Sequence, residues 1–386
     1  MVKVERYENI NQQQWRALIE RSPHATWFQT PEAYDFYNSV PGMEAFACGV
    51  VEFEVKGERL EAKGMDECKV DSVKCNEMEN SFADPNASTP YTLHPTPTLK
   101  GVIVGYTTQE KCKFKQYFTA RTIIPGGPLL DEHISDEALS TLLSAVAQCP
   151  AFRLSPFASR LTNPIYIETR NFHNYSRWKE VFQKAGFAYQ SHLNFHVDTS
   201  SIKLAQSRIG KHRWRYIRLS MRDGAKIVDK PTIQQVRAFY TILQDLYRTK
   251  VRTPLWSWEF FERLYYVEHA KYILVELDGK IVGGTACVCL PGKAVYEWYA
   301  CGLDNCRDDI RPLSVAIWGE MQYAAENGYP LFDFMGAGSP DQPYGVRDFK
   351  AEFGGELVEH GRFLCIRKPL LYWIGKMGVK WLKRRK

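Results

Sequence analysis

No stretch of this chain approaches the ~18 consecutive apolar residues that a membrane-spanning helix requires. The opening residues, MVKVERYENINQQQW, carry no apolar leader core, so no secretory signal is expected. Ten cysteines are present but none fall at paired spacings, which argues against a disulfide framework. Cys68 and Cys75 stand in a polar stretch with His94 nearby, yet no second half of a metal site follows, so no metal is expected. Cys287 and Cys289 alternate along an apolar run and read as reduced core thiols. The expected setting is therefore the cytoplasm, with free thiols.

What the chain does have is core-forming material. Its 386 residues are 45% hydrophobic and 13% aromatic, enough for two domains of ordinary size and too much for a disordered chain. Fifty basic against 44 acidic residues leave a net charge of +6, gathered near 208–226 and at the C-terminus.

The periodicities predict a helix over Asn11–Glu20, a helix starting at Thr30-Pro31, and strands at Ala45–Val55 and Lys100–Tyr106 that pair as a hairpin. Between them, residues 56–99 read as a polar, disordered insertion. A strand at Phe114–Phe118, a turn at Ile124–Pro128, a helix over Asp136–Gln148, a strand at Pro164–Glu168, a helix at Trp178–Ala185 and a strand at Phe187–Val197 complete a first unit, 1–198. A second, 199–366, repeats the plan. It has a basic helix at about 203–222, a strand at Lys226–Val228, helices at Ile233–Arg248 and Trp258–Tyr266, and strands at Tyr272–Leu277, Lys280–Leu290 and Ala294–Cys301. A helix at Pro312–Asn327 and a closing strand at Glu356–Ile366 end it. The expectation is a duplicated α/β fold.

One stretch concentrates the chemistry: YPLFDFMGAGSPDQPYGVRDFKAEFGG, Tyr329–Gly355. It reads as a buried strand closed by Gly336 and Gly338, then an exposed loop, then Asp348-Phe349-Lys350. Strand ends carrying such loops are where sites are usually built. Lys350 is the leading candidate, beside an aromatic and among glycines that permit close backbone approach.

FDFMGAG followed by GVRDFKAEFGGELVEHGRF resembles the C-terminal signature of the FemAB-like aminoacyltransferases, which belong to the Gcn5-related N-acyltransferase (GNAT) fold. Ile124–Pro128, Ala185-Gly186-Phe187 and the basic run Lys211–Arg218 are similar to that family's motifs in the same order. The resemblance implies two tandem GNAT-like domains, each a mixed, mainly antiparallel sheet flanked by helices. It implies transfer of an aminoacyl group, in well-known members from a charged tRNA, to an amine of a peptidoglycan precursor. It places Phe349 and Lys350 on the family's catalytic Phe-Lys pair. Two departures stand out. Tyr34, Asp35 and Tyr37 occupy a helix where the family often carries a diphosphate-binding lysine, and no helical arms for tRNA interrupt Lys226–Gly355.

Acyl transfer to an amine passes through an oxyanion, and a positioned cation such as Lys350 stabilises it by roughly 3–4 kcal/mol. Asp348 or Glu352 would take the amine's proton, or the substrate itself would assist its loss. Lys211, Arg215, Arg218 and Arg222 follow Arg208 at steps of 3 and 4 as one basic stripe, with Trp214, Ile217 and Met221 as its apolar neighbour. The stripe suits phosphates; Tyr344 and Arg347 join it as expected substrate contacts. Trp256 and Trp258 read as core aromatics or as the lining of a groove. No cofactor is expected, the acyl donor being aminoacyl-tRNA or acyl-CoA. The segment Asn305–Ser314 lacks the glycine-rich loop that cradles a pyrophosphate and contains Asp308 and Asp309, which disfavours coenzyme A. Residues 367–386 carry eight basic residues and no acidic one, with Leu370, Trp373, Ile374, Met377 and Trp381 at helical spacing. That is the pattern of a helix lying on an anionic membrane face. The alternatives are an acyl-CoA-dependent N-acyltransferase of polysaccharide or amino-sugar modification, and a non-catalytic membrane- or RNA-binding protein.

Overall fold

A computed structural model describes residues 1–53, 97–108, 110, 117–148, 163–304 and 306–384. Two sheets face each other across an aromatic seam, and the chain passes between them more than once. The first sheet is built from β1 (Val2–Arg6), β2 (Met43–Phe53), β3 (Pro97–Thr108), β4 (Thr122–Gly126), β5 (Leu129–Leu130), β6 (Tyr166–Asn171) and β7 (Ala188–Gln190). Helices α1 (Gln12–Arg21), α2 (Pro31–Ser39), α3 (Asp136–Gln148) and α4 (Lys179–Lys184) flank it. Asn11 and Thr30 cap α1 and α2 by accepting the Gln14 and Ala33 N–H groups.

The second part holds β8 (Leu193–Asp198), α5 (Ile202–Arg208), α6 (Lys211–Arg222), β9 (Lys226–Val228), α7 (Ile233–Leu246) and α8 (Trp258–Tyr265). Then come β10 (Ala270–Leu277), β11 (Lys280–Leu290), β12 (Ala294–Gly302), α9 (Pro312–Glu326), β13 (Leu331–Asp333), α10 (Gly345–Ala351), β14 (Glu356–Glu359), β15 (Arg362–Ile366) and α11 (Pro369–Arg384). The first sheet runs β1-β2-β3-β4-β6-β15-β7 with β5 on β3; the second runs β14-β8-β13-β12-β11-β10-β9. Each is antiparallel except at one step, β4 beside β6 and β12 beside β13.

Several expectations are corrected. Phe187–Val197 is not one strand: the chain breaks at Ser191-His192, so β7 stays in the first sheet and β8 enters the second. Glu356–Ile366 likewise divides, with β14 in the second sheet and β15 returning to the first. Gly361 makes that division possible. Its φ is +65°, and a Cβ there would lie 2.2 Å from the Tyr189 ring. The basic helix is two helices, broken at Ile209-Gly210, where the Gly210 N–H donates to the Glu352 carbonyl (2.8 Å). Tyr117 and Phe118 lie in a helical turn, not a strand. β2 and β3 do pair as the expected hairpin, with Phe53 opposite Pro97. The insertion falls outside the described residues, except that its last residues, Pro97–Leu99, already belong to β3.

Phe28 and Phe36 of the first part pack edge-on against Tyr296, Trp298 and Phe260 of the second, and Trp27 meets Trp298 at a tilt. Truncating one such buried ring costs about 3–5 kcal/mol. This seam holds β12 and α8 against the first part.

Candidate active site

β12 and β13 run side by side for three residue pairs, Ala294 with Leu331 to Tyr296 with Asp333, and then part. β12 bulges at that point: Glu297 lies opposite Cys287 and Tyr299 opposite Ala286, leaving Trp298 as the extra residue. Among the described residues no strand covers β12 beyond Tyr296 on this side. The other chain turns away through Met335 (φ +55°), Gly336 (φ +123°) and Gly338 (φ +79°). Side chains hold that turn. Asp333 accepts from the Met335 N–H and Asn194 Nδ2, both at 2.6 Å, and Asn194 Oδ1 accepts from the Gly336 N–H at 2.8 Å.

Lys350 occupies the opening. The segment before it is the helix α10 where a loop was expected, and Lys350 points inward from its last turn, 8% exposed. Its ammonium donates to the carbonyls of Phe334 (2.6 Å) and Gly336 (2.9 Å), and lies 3.6 Å from Glu297 Oε1. It is therefore neither a solvated surface lysine nor a plain hydrophobic filler. Burial pushes the Glu297 carboxyl up, the ammonium pulls it back down, and the balance lies above the ordinary range. Beside it, His196 Nε2 meets Asp333 Oδ2 at 3.1 Å. Burial opposes both charges, but the pairing outweighs it, holding Asp333 below and His196 above their usual values.

The other expected residues are distributed around this point. Phe349 lies under the Arg213 guanidinium (4.5 Å) and against Phe353. Asp348 is exposed, away from Lys350, and Glu352 is tied to Arg213 (3.0 Å). Arg347 donates to the carbonyls of Ala337, Ser339 and Gln342, so it holds the loop over the site. Tyr344 is exposed, packed on Gly338. Lys211, Arg215 and Arg218 line the outer face of α6 in open solvent. Arg222 is bound bidentately by Asp223 (2.7 and 2.9 Å). Arg208 is on α5, off the stripe, and Met221 is exposed where packing was expected.

Glu297, Asp333 and His196 were missed. A signal existed for the first: Glu297 is the lone charge in the strand AVYEWYACG.

The N-terminus of α9, where a pyrophosphate would bind, is occupied by the chain itself. Pro312 has no N–H, Arg311 N–H donates to Ser220 Oγ (2.9 Å), and Arg213 Nη1 donates to Ser314 Oγ (2.8 Å). Gly302 lies so close that a Cβ there would be 2.8 Å from the Leu313 nitrogen.

A cleft of about 1370 Å³ opens between the two parts. Arg121, Tyr166, Glu168 and Gln190 of the first sheet line it, opposite Trp256, Gln342 and the α11 residues Tyr372, Trp373 and Met377. Its floor is wired to the Lys350 site: Arg362 bonds both Glu168 and His192 Nε2 (2.9 Å each), and His192 lies against Gly336, whose carbonyl receives Lys350. Among the described residues no cluster suits a metal ion.

Residues 211–350 match the family model described as acetyltransferase (GNAT) domain. The crystal structure of FemX superposes with a TM-score of 0.62 at 13% identity, over 96% of this chain and 99% of that one. A tandem GNAT protein from the clavulanic acid biosynthesis pathway gives 0.51 at 10%, over 94% and 98%. No curated protein matches. With a GNAT domain at residues 211–350 and the FemX and tandem-GNAT fold over nearly its whole length, the chain is an acyltransferase of the GNAT fold.

Proposed function

We propose that this protein transfers an aminoacyl group to an amine of a peptidoglycan or other cell-envelope precursor, with Lys350 as the cation at the reacting carbonyl. The observation that carries this is the ammonium fixed in the opening between β12 and β13 by two carbonyls and Glu297. A structural lysine gains little there, because burying a charge pair seldom adds stability. As the amine attacks, the carbonyl oxygen becomes anionic beside Lys350. Its proton goes to Glu297, the carboxylate that faces the ammonium; Asp348 points to solvent and Glu352 is engaged by Arg213. Phe349 and Arg213 brace α10 from outside.

Two features favour an aminoacyl-tRNA donor. The α9 N-terminus is already filled, and the open row Lys211, Arg215 and Arg218 suits a phosphate backbone, with Arg222 at its edge. The acceptor would lie in the cleft beside Tyr344 and the loop that Arg347 holds. α11 leaves Leu370, Trp373, Ile374 and Met377 51–74% exposed, the first and third away from the cleft and Trp373 and Met377 at its rim, on a segment without acidic residues. We place that face on the anionic inner surface of the plasma membrane; among the described residues no helix is long and apolar enough to cross it.

The second reading, transfer from acyl-CoA to an amino sugar or polysaccharide precursor, draws on the GNAT match itself. Thermal shift with coenzyme A against aminoacyl-tRNA separates the two, since a ligand of the folded state raises its stability. For the enzyme reading the test is Lys350→Met with envelope-precursor amines and charged tRNA. Full turnover in the folded variant would end it.

A further inference from the structure

Behind Lys350 stand three buried polar groups to which the reaction above gives no work. Glu320 of α9 is completely buried, amid Ile317, Met321 and Ala324. Neither of its carboxyl oxygens has a hydrogen-bond partner, and the same holds for Thr285 Oγ1 and Glu297 Oε2. Thr285 and Cys287 of β11 lie against Glu320 at the edge of hydrogen-bond reach. Cys287 is also opposite Glu297 in the sheet, so all these groups project to the α9 face of β11 and β12.

Charge balance decides what they do. Lys350 brings one positive charge, while Glu297 and Glu320 bring two carboxyl groups. The other titratable groups on the packed elements are the Cys287 and Cys289 thiols, Tyr323 of α9, Asp333 of β13, which is already paired with His196, and Lys271 of β10, which stands opposite Cys287 in the sheet. Lys271 is the one cation among them, and its ammonium lies over the Tyr323 ring (5.7 Å) instead of pairing with either carboxyl. A fully buried carboxylate without a cation is strongly disfavoured. Glu297, 3.6 Å from the ammonium, is the one favoured as an anion, and Glu320 is the one that must be neutral.

We propose that Glu320 carries a proton behind Lys350 and leaves Glu297 as the one anion there. Glu320 holds that proton at rest, and Glu297, kept anionic, holds the ammonium charged and aimed into the opening. This rests on the reading of Lys350 given above and makes Glu320 a positioning residue. The bookkeeping closes over a cycle. The amine's proton passes to Glu297 as the N–C bond forms, then to the departing oxygen as the C–O bond of the aminoacyl ester breaks. The pair begins and ends with one proton.

The test compares full-length wild type with Glu320→Gln by urea unfolding from about pH 5 to about pH 8, without substrate. A carboxyl that is protonated when folded and ionised when unfolded lowers stability as pH rises above its ordinary value. Glutamine has no such term. The unfolding midpoint of E320Q is therefore expected to gain on wild type with each pH unit. A gap that stays constant or closes overturns the proposal. Should E320Q fail to fold, the infrared spectrum of the wild-type protein labelled with ¹³C-glutamate decides. The band of a protonated, unhydrated carboxyl is expected at about pH 7, far above ordinary carboxyl titration, and its absence overturns the proposal. Neither readout involves acyl transfer. An inactive K350M with no pH-dependent gap would keep the enzyme reading and remove this one.

Discussion

Each half of the molecule brings two parallel strands together and must satisfy the carbonyls where they end, and the two halves do it with opposite chemistry. In the first, β4 and β6 stay paired from Thr122 to Gly126. The carbonyls of Gly126, Gly127 and Pro128 are taken by neutral donors, Gln29 Nε2 and the Tyr175 hydroxyl. In the second, β12 and β13 part early, and a lysine takes the carbonyls with a glutamate beside it. Neutral donors meet the hydrogen-bonding need without burying charge. The ionic solution is the costlier one, and it stands in the half to which the proposed mechanism assigns the chemistry.

The comparison breaks most easily at Lys350. K350M is expected to lower turnover by about 10²–10³-fold, the scale of a lost oxyanion donor, while circular dichroism shows a folded chain. Wild-type turnover would make the two openings equivalent. The mirror change, Gln29→Leu, is expected to leave turnover per folded molecule intact and to destabilise by about 1–3 kcal/mol, since it strands buried carbonyls; urea unfolding measures this. A variant with normal stability would mean that the first opening is not held as described.

The seam between the halves supplies a weaker, pH-dependent contrast. His192 and His360 are each pushed down to about 4, and His173 to about 3, burial being the main cause in all three. Because these values lie below the ordinary one, the folded state resists protonation that the unfolded chain accepts. Stability is full above the ordinary histidine value and falls as pH drops from about 6.5 toward 4, by at most ~1.4 kcal/mol per unit for each group. His196 works the other way, its raised value favouring the fold at lower pH, with Asp333 as partner. The net expectation is loss on acidification, and His360→Phe, which removes two unpartnered ring nitrogens, should flatten it. An unchanged slope in H360F would place the acid sensitivity elsewhere.

Much of this was legible in the residues. Apolar periodicity and turn residues located the β2–β3 hairpin, the helices α1, α3, α7 and α9 and the strands β10 to β12, but β1 and α10 carried no such mark. The stretch around Lys350 stood out because a lysine beside an aromatic sits among glycines. The exchange of β8 and β15 was not legible, since a two-residue break at Ser191-His192 or His360-Gly361 leaves the apolar alternation almost undisturbed. Asp348 and Glu352 lie nearest to Lys350 in sequence, yet the helix turns them outward. Its partner, Glu297, comes from a strand some fifty residues earlier, a distance that periodicity does not span.

The smallest expected effect concerns the tail, where the two parts of the cleft wall differ most. The sheet side is fixed by paired backbone, whereas α11 meets it through side chains such as Tyr372 on Tyr166 (5.7 Å), with Lys368, just before the helix, over Tyr117 (4.0 Å). A chain ending at Pro369 should therefore fold as the full chain does. It loses most of the basic residues of the 367–386 segment, each worth on the order of 1 kcal/mol at an anionic surface, together with the exposed apolar residues Leu370, Trp373, Ile374 and Met377. Flotation with phosphatidylserine-containing vesicles is expected to carry the full chain upward and leave the shortened one at the bottom, with neutral vesicles carrying neither. Equal flotation of both would mean that α11 serves only to wall the cleft, and the contrast between a fixed wall and a docking wall would disappear.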